Sequence, residues 1–213
     1  EANQVSARFG HSVSSAGDVN GDGYSDVIIG AWTYDAGQND QGAVWVYYGS
    51  ISGISGAAFL ESNITGAAFG ASVASAGDVN GDGYSDVIIG ASSYSNPEFL
   101  EGAAFVYNGS SSGINTTHSW QTQSNQTMTN LGISVASAGD VNGDGYSDII
   151  VGAFNFENGQ TDEGRIQVHH GSQTGVSTTA NWTIESNTAN ANLGVSVASA
   201  GDVNGDGYSD VIA

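Results

Sequence analysis

The sequence predicts an all-β protein assembled from repeated four-stranded antiparallel sheets, and three observations carry that prediction. The twelve residues Ser-Ala-Gly-Asp-Val-Asn-Gly-Asp-Gly-Tyr-Ser-Asp occur four times unchanged, beginning at Ser15, Ser75, Ser137 and Ser199, at spacings of 60, 62 and 62 residues. Such a period is the mark of one supersecondary unit written repeatedly. The apolar runs are short, β-branched or aromatic, and bounded by Gly, Ser, Asn and Asp, as in turn-rich chains of strands. No stretch shows a helical hydrophobic period.

In the first unit the strand-length pieces are Phe9 to Gly17, Val27 to Ala31 and Ala43 to Tyr48, with an acidic loop from Asp18 to Asp26 between the first two. A less regular fourth strand carries Phe59, and the later units offer Trp120 and Trp182 as its counterparts. Short connections make these four strands an antiparallel meander. Val27-Ile28-Ile29 is apolar on both faces, so a sheet on either side must cover it. The radial solution for stacking four-stranded units of this length is a β-propeller. The small residues Gly30 and Ala31 suit the crowding near a propeller axis, although a tight bend explains them equally well.

The units run 1–60, 61–122, 123–184 and, as a partial copy, 185–213. Fourteen strands result, three sets of four and the first two of another, which do not close a ring. The expectation is about three and a half repeats of a larger ring or assembly. A propeller of about seven units in a longer protein would complete it, as would exposed edges that pair between copies by self-assembly.

The formal charge is -20, and Arg8 and Arg165 are the only Lys or Arg residues, which excludes nucleic acid and anionic lipid surfaces as partners. No apolar run approaches the length of a membrane span, so membrane insertion is not expected. Cysteine is absent, and the compartment is argued from cation supply instead. Low-affinity calcium loops fill where free calcium is millimolar, which predicts an extracellular or cell-surface location.

The acidic loops hold the chemistry. In the first, oxygen-bearing side chains fall at loop positions 1, 3, 5 and 9 as Asp18, Asn20, Asp22 and Asp26, and Tyr24 at position 7 offers its main-chain carbonyl. Three carboxylates, an amide and a carbonyl suit Ca2+, with magnesium second. The equivalent sets are Asp78, Asn80, Asp82, Tyr84 and Asp86; Asp140, Asn142, Asp144, Tyr146 and Asp148; and Asp202, Asn204, Asp206, Tyr208 and Asp210. An EF-hand opens with the same spacing, but position 12 is Ile29 where that loop needs a bidentate Glu, and the flanks are strands. The plainer alternative is a tight turn, for which one or two such residues suffice. One Ca2+ per repeat, up to four, is the expectation, with a structural role, because uncompensated carboxylates repel one another and open the turn.

These features together resemble the FG-GAP repeat of integrin α-chain β-propellers. Phe9-Gly10 and Phe69-Gly70 match the first signature and Leu131-Gly132 and Leu193-Gly194 vary it, while the Gly-Ala of the second signature lacks its usual proline. The resemblance spans the chain, and it implies an extracellular adhesion or interaction module. It also implies a protein or glycan ligand on the face opposite the calcium loops. There the segments after the second strand mix aromatics with carboxylates, and Trp32, Tyr34, Tyr94, Phe99, Phe154 and Phe156 are the candidate ligand surface. Freely drifting solvated loops are the competing explanation.

No nucleophile elbow, no clustered base and no open metal position beside one is recognisable, which argues against an enzyme. His169 and His170 read as strand positions, and His11 and His118 are isolated. A carbohydrate-binding propeller lectin and a structural subunit of a surface layer or filament are the alternatives to an adhesion module. Asn63, Asn108, Asn115, Asn125 and Asn181 head Asn-x-Ser/Thr triplets and are glycosylation candidates, although an Asn-, Ser- and Thr-rich chain produces several by chance.

Overall fold

The computed structural model describes residues 3–213 and contains strands, turns and loops without a helix among them. Three sheets have four strands each. They are β1 (Ser12–Gly17), β2 (Asp26–Ala31), β3 (Ala43–Tyr48) and β4 (Ser55–Glu61); β5 (Phe69–Gly77), β6 (Asp86–Ala91), β7 (Ala103–Tyr107) and β8 (Trp120–Gln123); and β9 (Ser134–Gly139), β10 (Asp148–Ala153), β11 (Arg165–His169) and β12 (Trp182–Glu185). A fourth sheet has two, β13 (Ala198–Gly201) and β14 (Asp210–Ile212). Every pairing within a sheet is antiparallel between neighbours in sequence. The sheets are blades of a β-propeller, as the repeat predicts.

The first strand of each blade lies against the first strand of the next, β1 on β5, β5 on β9 and β9 on β13. The second strands explain why the blades must stack. Ile28 enters a cluster with Val46, Phe69, Val87 and Ile89 between the first two blades. Ile88, the neighbour of Val87 and Ile89 on β6, points the other way into a cluster with Val106, Leu131, Ile149 and Val151. Alternation along one strand thus feeds two cores. All six positions of β6 and of β10 are buried, whereas β2, with a blade on one side only, leaves Val27 and Ile29 half-buried.

Hydrogen bonds then suture blade to blade. Ser12 Oγ donates to the Gly70 carbonyl at 2.7 Å, and Ser72 Oγ to the Gly132 carbonyl at 2.8 Å. The Phe69 amide donates to the Gln41 carbonyl at 3.1 Å, beside a parallel bridge from Gly42 to Phe69. Gly30 owes its identity to this interface, because a Cβ there would stand 2.1 Å from the Gly70 carbonyl oxygen. Close approach of the next blade, and not a bend, explains the small residue.

One sequence correspondence shifts. Trp120 and Trp182 pair with Val106 and Val168, while the residue that pairs with Val46 is Ala58 and Phe59 pairs with Trp45. An offset of one residue puts a side chain on the other face of a sheet. Phe59 therefore packs against Tyr34 and Trp45 on the outer face of the first blade, whereas Trp120 faces the third blade.

Candidate metal centres

Each acidic loop joins the first and second strands of a blade, just past a bulge where the register slips between Ser15 and Gly17. The strand directions therefore deliver all four loops to one rim. Within the first loop the Asp18 carboxylate gathers three main-chain amides: Gly21 and Asp22 donate to Oδ1 at 2.7 and 3.1 Å, and Gly23 to Oδ2 at 2.8 Å. The turn places these N–H groups inside only because Gly21 and Gly23 adopt φ of +71 and +89. Asp22 accepts from the Tyr24 amide at 3.0 Å and from Asn20 Nδ2 at 3.1 Å.

Asp26 does something the spacing did not disclose. It is 1 % exposed, and its carboxylate accepts the Val19 amide at 2.8 Å and the Gly49 amide at 2.7 Å. It ties the acidic loop to the turn between β3 and β4. Asp86 and Asp148 repeat the arrangement with Val79 and Gly109 and with Val141 and Gly171. Burial raises the pKa of all three against the pull of those amides, and Asp86, the most enclosed, is pushed up to about 7. In the fourth loop the Gly207 amide and its neighbours hold exposed Asp202 below the usual carboxylate range.

The loops also grip the following blade. The Ser85 amide donates to the Asp18 carbonyl at 2.9 Å, Ser147 to Asp78 at 3.0 Å and Ser209 to Asp140 at 2.9 Å. In return the Asp18 amide donates to Ser85 Oγ at 3.1 Å. The Ser110 amide reaches back to the Val19 carbonyl at 3.0 Å, as Ser172 does to Val79. The Ser before the last Asp of the twelve-residue segment is thus an inter-blade contact, a role its invariance among the four copies could have suggested.

The donors suit a hard cation in kind. Carboxylates, an amide oxygen and the main-chain carbonyl of the seventh residue stand in one short loop, and each carboxylate keeps lone pairs beyond those its amides use. They are not gathered on a point, however: among the described residues no three carboxylate or imidazole groups come together closely enough to form a metal cluster. Each carboxylate also accepts main-chain N–H groups, most of them from its own loop.

The opposite rim carries the loops between second and third strands. Phe99 is exposed there, and Trp32, Tyr34 and Phe154 are half-buried. The Arg8 guanidinium stands 4.7 Å from the Trp32 ring. Tyr94 and Phe156 depart from the expected aromatic surface, because both are buried. Tyr94 packs edge-on to Phe105, and Arg165 covers Phe156 at 3.8 Å.

Gln41, Glu101 and Glu163, which close these segments, are fully buried. Glu101 turns inward to accept the Asn96 and Asn125 amides at 2.7 and 3.1 Å. A Gln or Glu directly before Gly42, Gly102 and Gly164 was the available signal. Of the glycosylation candidates, Asn63, Asn115, Asn125 and Asn181 are exposed and Asn108 is half-buried.

Antiparallel four-stranded blades around an axis, each with an Asp-rich loop on the same rim, define a β-propeller repeat protein. The FG-GAP repeat profile matches residues 9–47, 69–111 and 131–169. The chain is 34% identical to integrin alpha-5 of Xenopus laevis over 187 residues, which is 82% of this chain and 17% of that protein. It is 35% identical to integrin alpha-4 of Xenopus laevis over 157 residues, covering 71% and 15%. With integrin alpha-V of Gallus gallus it shares 34% over 163 residues, covering 72% and 16%. The chain belongs to the FG-GAP repeat family, and it spans less than a fifth of the length of these integrin relatives.

Proposed function

We propose that this chain is a calcium-stabilised interaction module of the cell surface or extracellular space, working by adhesion to partners and not by catalysis. The observation that carries the reading is the coupling of the first three oxygen-rich loops to the blade after each, through the Asp18, Asp78 and Asp140 carbonyls. Ca2+ would be held by the position-1, -3, -5 and -9 side chains and the position-7 carbonyl of each loop, from Asp18 to Asp26 and its three copies. When bound it supplies positive charge that relieves the repulsion among three carboxylates. The protein does the rest: the ordered loop presents its carbonyl to the next blade's Ser amide and holds the two sheets in register.

Integrin relatives support the adhesion reading and the extracellular location, where millimolar calcium fills weak loops. The ligand face in this proposal is the rim opposite the acidic loops, where Phe99 and half-buried Trp32, Tyr34 and Phe154 stand among carboxylates. Scanning calorimetry in calcium and in chelator tests the cation. A loop filled at a hundred times its dissociation constant adds about 2.7 kcal/mol, so several loops together raise the melting temperature by upwards of about 10 °C. A melting temperature indifferent to calcium sinks the reading. Titration calorimetry should count up to four sites, with magnesium binding more weakly.

A further inference from the structure

The first and second inter-blade interfaces differ in one way that defines a site. Tyr48, at the end of β3, reaches across to the second blade, where the Ile114 amide donates to its hydroxyl at 3.1 Å. Its ring covers the β7–β8 turn so closely that a Cβ on Gly113 would lie 2.2 Å from the phenol oxygen. Ile114 beneath it is 6 % exposed. One interface along, the residue equivalent to Tyr48 is Asn108, whose side chain is too short to make that crossing. Around a Cβ placed on Gly175, the counterpart of Gly113, nothing lies within 4 Å. The Val176 amide, counterpart of Ile114, donates to no other backbone group among the described residues.

The result is a groove of about 620 Å3 between the second and third blades, on the rim of the acidic loops. Asn108, Ser119 and Trp120 form one wall and Gln173, Gly175 and Val176 the other. Trp120, which stands where the first blade has Ala58, leans away to His169, with ring centroids 4.8 Å apart, and donates to the Ser177 carbonyl at 2.9 Å. It is only 5 % exposed and belongs to the inter-blade cluster against which Val176 packs, so it bounds the groove with a narrow aromatic edge while the space over Gly175 stays open. On a chain of charge -20, no charged side chain lines this groove.

We propose that the groove receives a tyrosine side chain of a protein partner, in the place that Tyr48 fills at the preceding interface. The phenol ring packs beside Trp120 and over Gly175, and its hydroxyl accepts the Val176 N–H, as Tyr48 accepts that of Ile114. An internal copy of the complex therefore sits in the same molecule. The inference goes beyond the cation reading and names a second contact surface, on the rim opposite the ligand face proposed above.

The test is NMR titration of the full chain in calcium buffer with N-acetyl-tyrosinamide and its phenylalanine analogue. The tyrosine probe should perturb Val176 and Trp120 saturably, with the phenylalanine probe about tenfold weaker for want of one hydrogen bond. Asn108→Tyr should plug the groove, abolish probe binding and raise the melting temperature. Tyr48→Asn should open a second groove and raise probe stoichiometry from one to two, which also decides the matter if Asn108→Tyr does not fold. The proposal is overturned by unsaturable binding, by equal affinity for the two probes, by unaltered binding to Asn108→Tyr, or by stoichiometry that stays at one in Tyr48→Asn. It is equally overturned if methyl glycosides perturb the groove and the tyrosine probe does not. Failure of any of these leaves calcium-dependent melting untouched, so the two readings fall separately.

Discussion

The second and fourth acidic loops have the same twelve residues and different physics. In both, the first Asp collects the amides of the fourth, fifth and sixth loop residues at 2.7 to 3.2 Å. That part is local and travels with the sequence. Around the second loop the third blade closes: the Asp78 carbonyl takes the Ser147 amide, and Asp86 takes the Gly109 amide. Around the fourth no further blade closes among the described residues. Val79 is 0 % exposed and its counterpart Val203 is 71 % exposed. Sequence therefore sets the shape of the loop, and neighbouring blades set the cost of its charges.

Truncating the last carboxylate is the strongest way to break the comparison. Asp86→Ala removes the acceptor of two amides, Val79 and Gly109, each at 2.9 Å, and strands both where water does not reach. The expected loss is about 2 to 5 kcal/mol. Asp210→Ala removes the acceptor of the Val203 amide alone, at 2.9 Å in the open, and should cost less than about 1 kcal/mol. Urea unfolding in chelator measures both free of any cation. Equal losses would mean that the blades add nothing to what the loop does by itself.

Position 4 of the loop gives a smaller contrast. Gly81 and Gly205 have φ of +72 and +77, so alanine at either bears the left-handed backbone penalty of about 1 to 2 kcal/mol. Only Gly81 lies under the neighbouring blade's tyrosine, where a Cβ would stand 2.5 Å from the Tyr146 ring; at Gly205 nothing lies within 4 Å. Gly81→Ala should thus be worse than Gly205→Ala by about 1 kcal/mol or somewhat more, since the ring must swing aside. Identical melting curves for the two variants would remove Tyr146 from the interface.

The same division explains what could be read from the chain in advance. The blades, the loops and the family were legible because each depends on short-range pattern: alternation in Val87-Ile88-Ile89, and oxygen spacing from Asp78 to Asp86. Tyr94 and Phe156 mislead, since aromatics in a variable loop look solvated while both are buried. Their burial depends on a fold-back within the blade that no local period encodes. Asp86 was recognised as a donor but not as a buried brace, because Gly109 lies 23 residues away. The groove at Asn108 needed two interfaces side by side before the missing ring of Tyr48 could be noticed.

A last and smallest lever acts on the covered face of the third blade. His169 is 1 % exposed, its Nδ1 meets the Ser177 carbonyl at 3.0 Å, and its Nε2 has no partner among the described residues. Burial lowers its pKa, the Ser177 carbonyl opposes that shift, and the charges of His170 and Arg165 add to it; Trp120 packs against the ring without charge. A folded pKa below the unfolded value of about 6.5 means that stability is full above that pH. It is lost as pH falls through the folded value, with a slope of at most about 1.4 kcal/mol per pH unit for one proton. His169→Gln keeps a donor for the Ser177 carbonyl and cannot titrate, so its stability should fall less than that of the parent between pH 6.5 and 5. Because Asp86 and its counterparts titrate alike in both proteins, the difference between the two pH profiles isolates the histidine. Parallel profiles would show that this interface tolerates the imidazolium, and that its closure is looser than around Asp86.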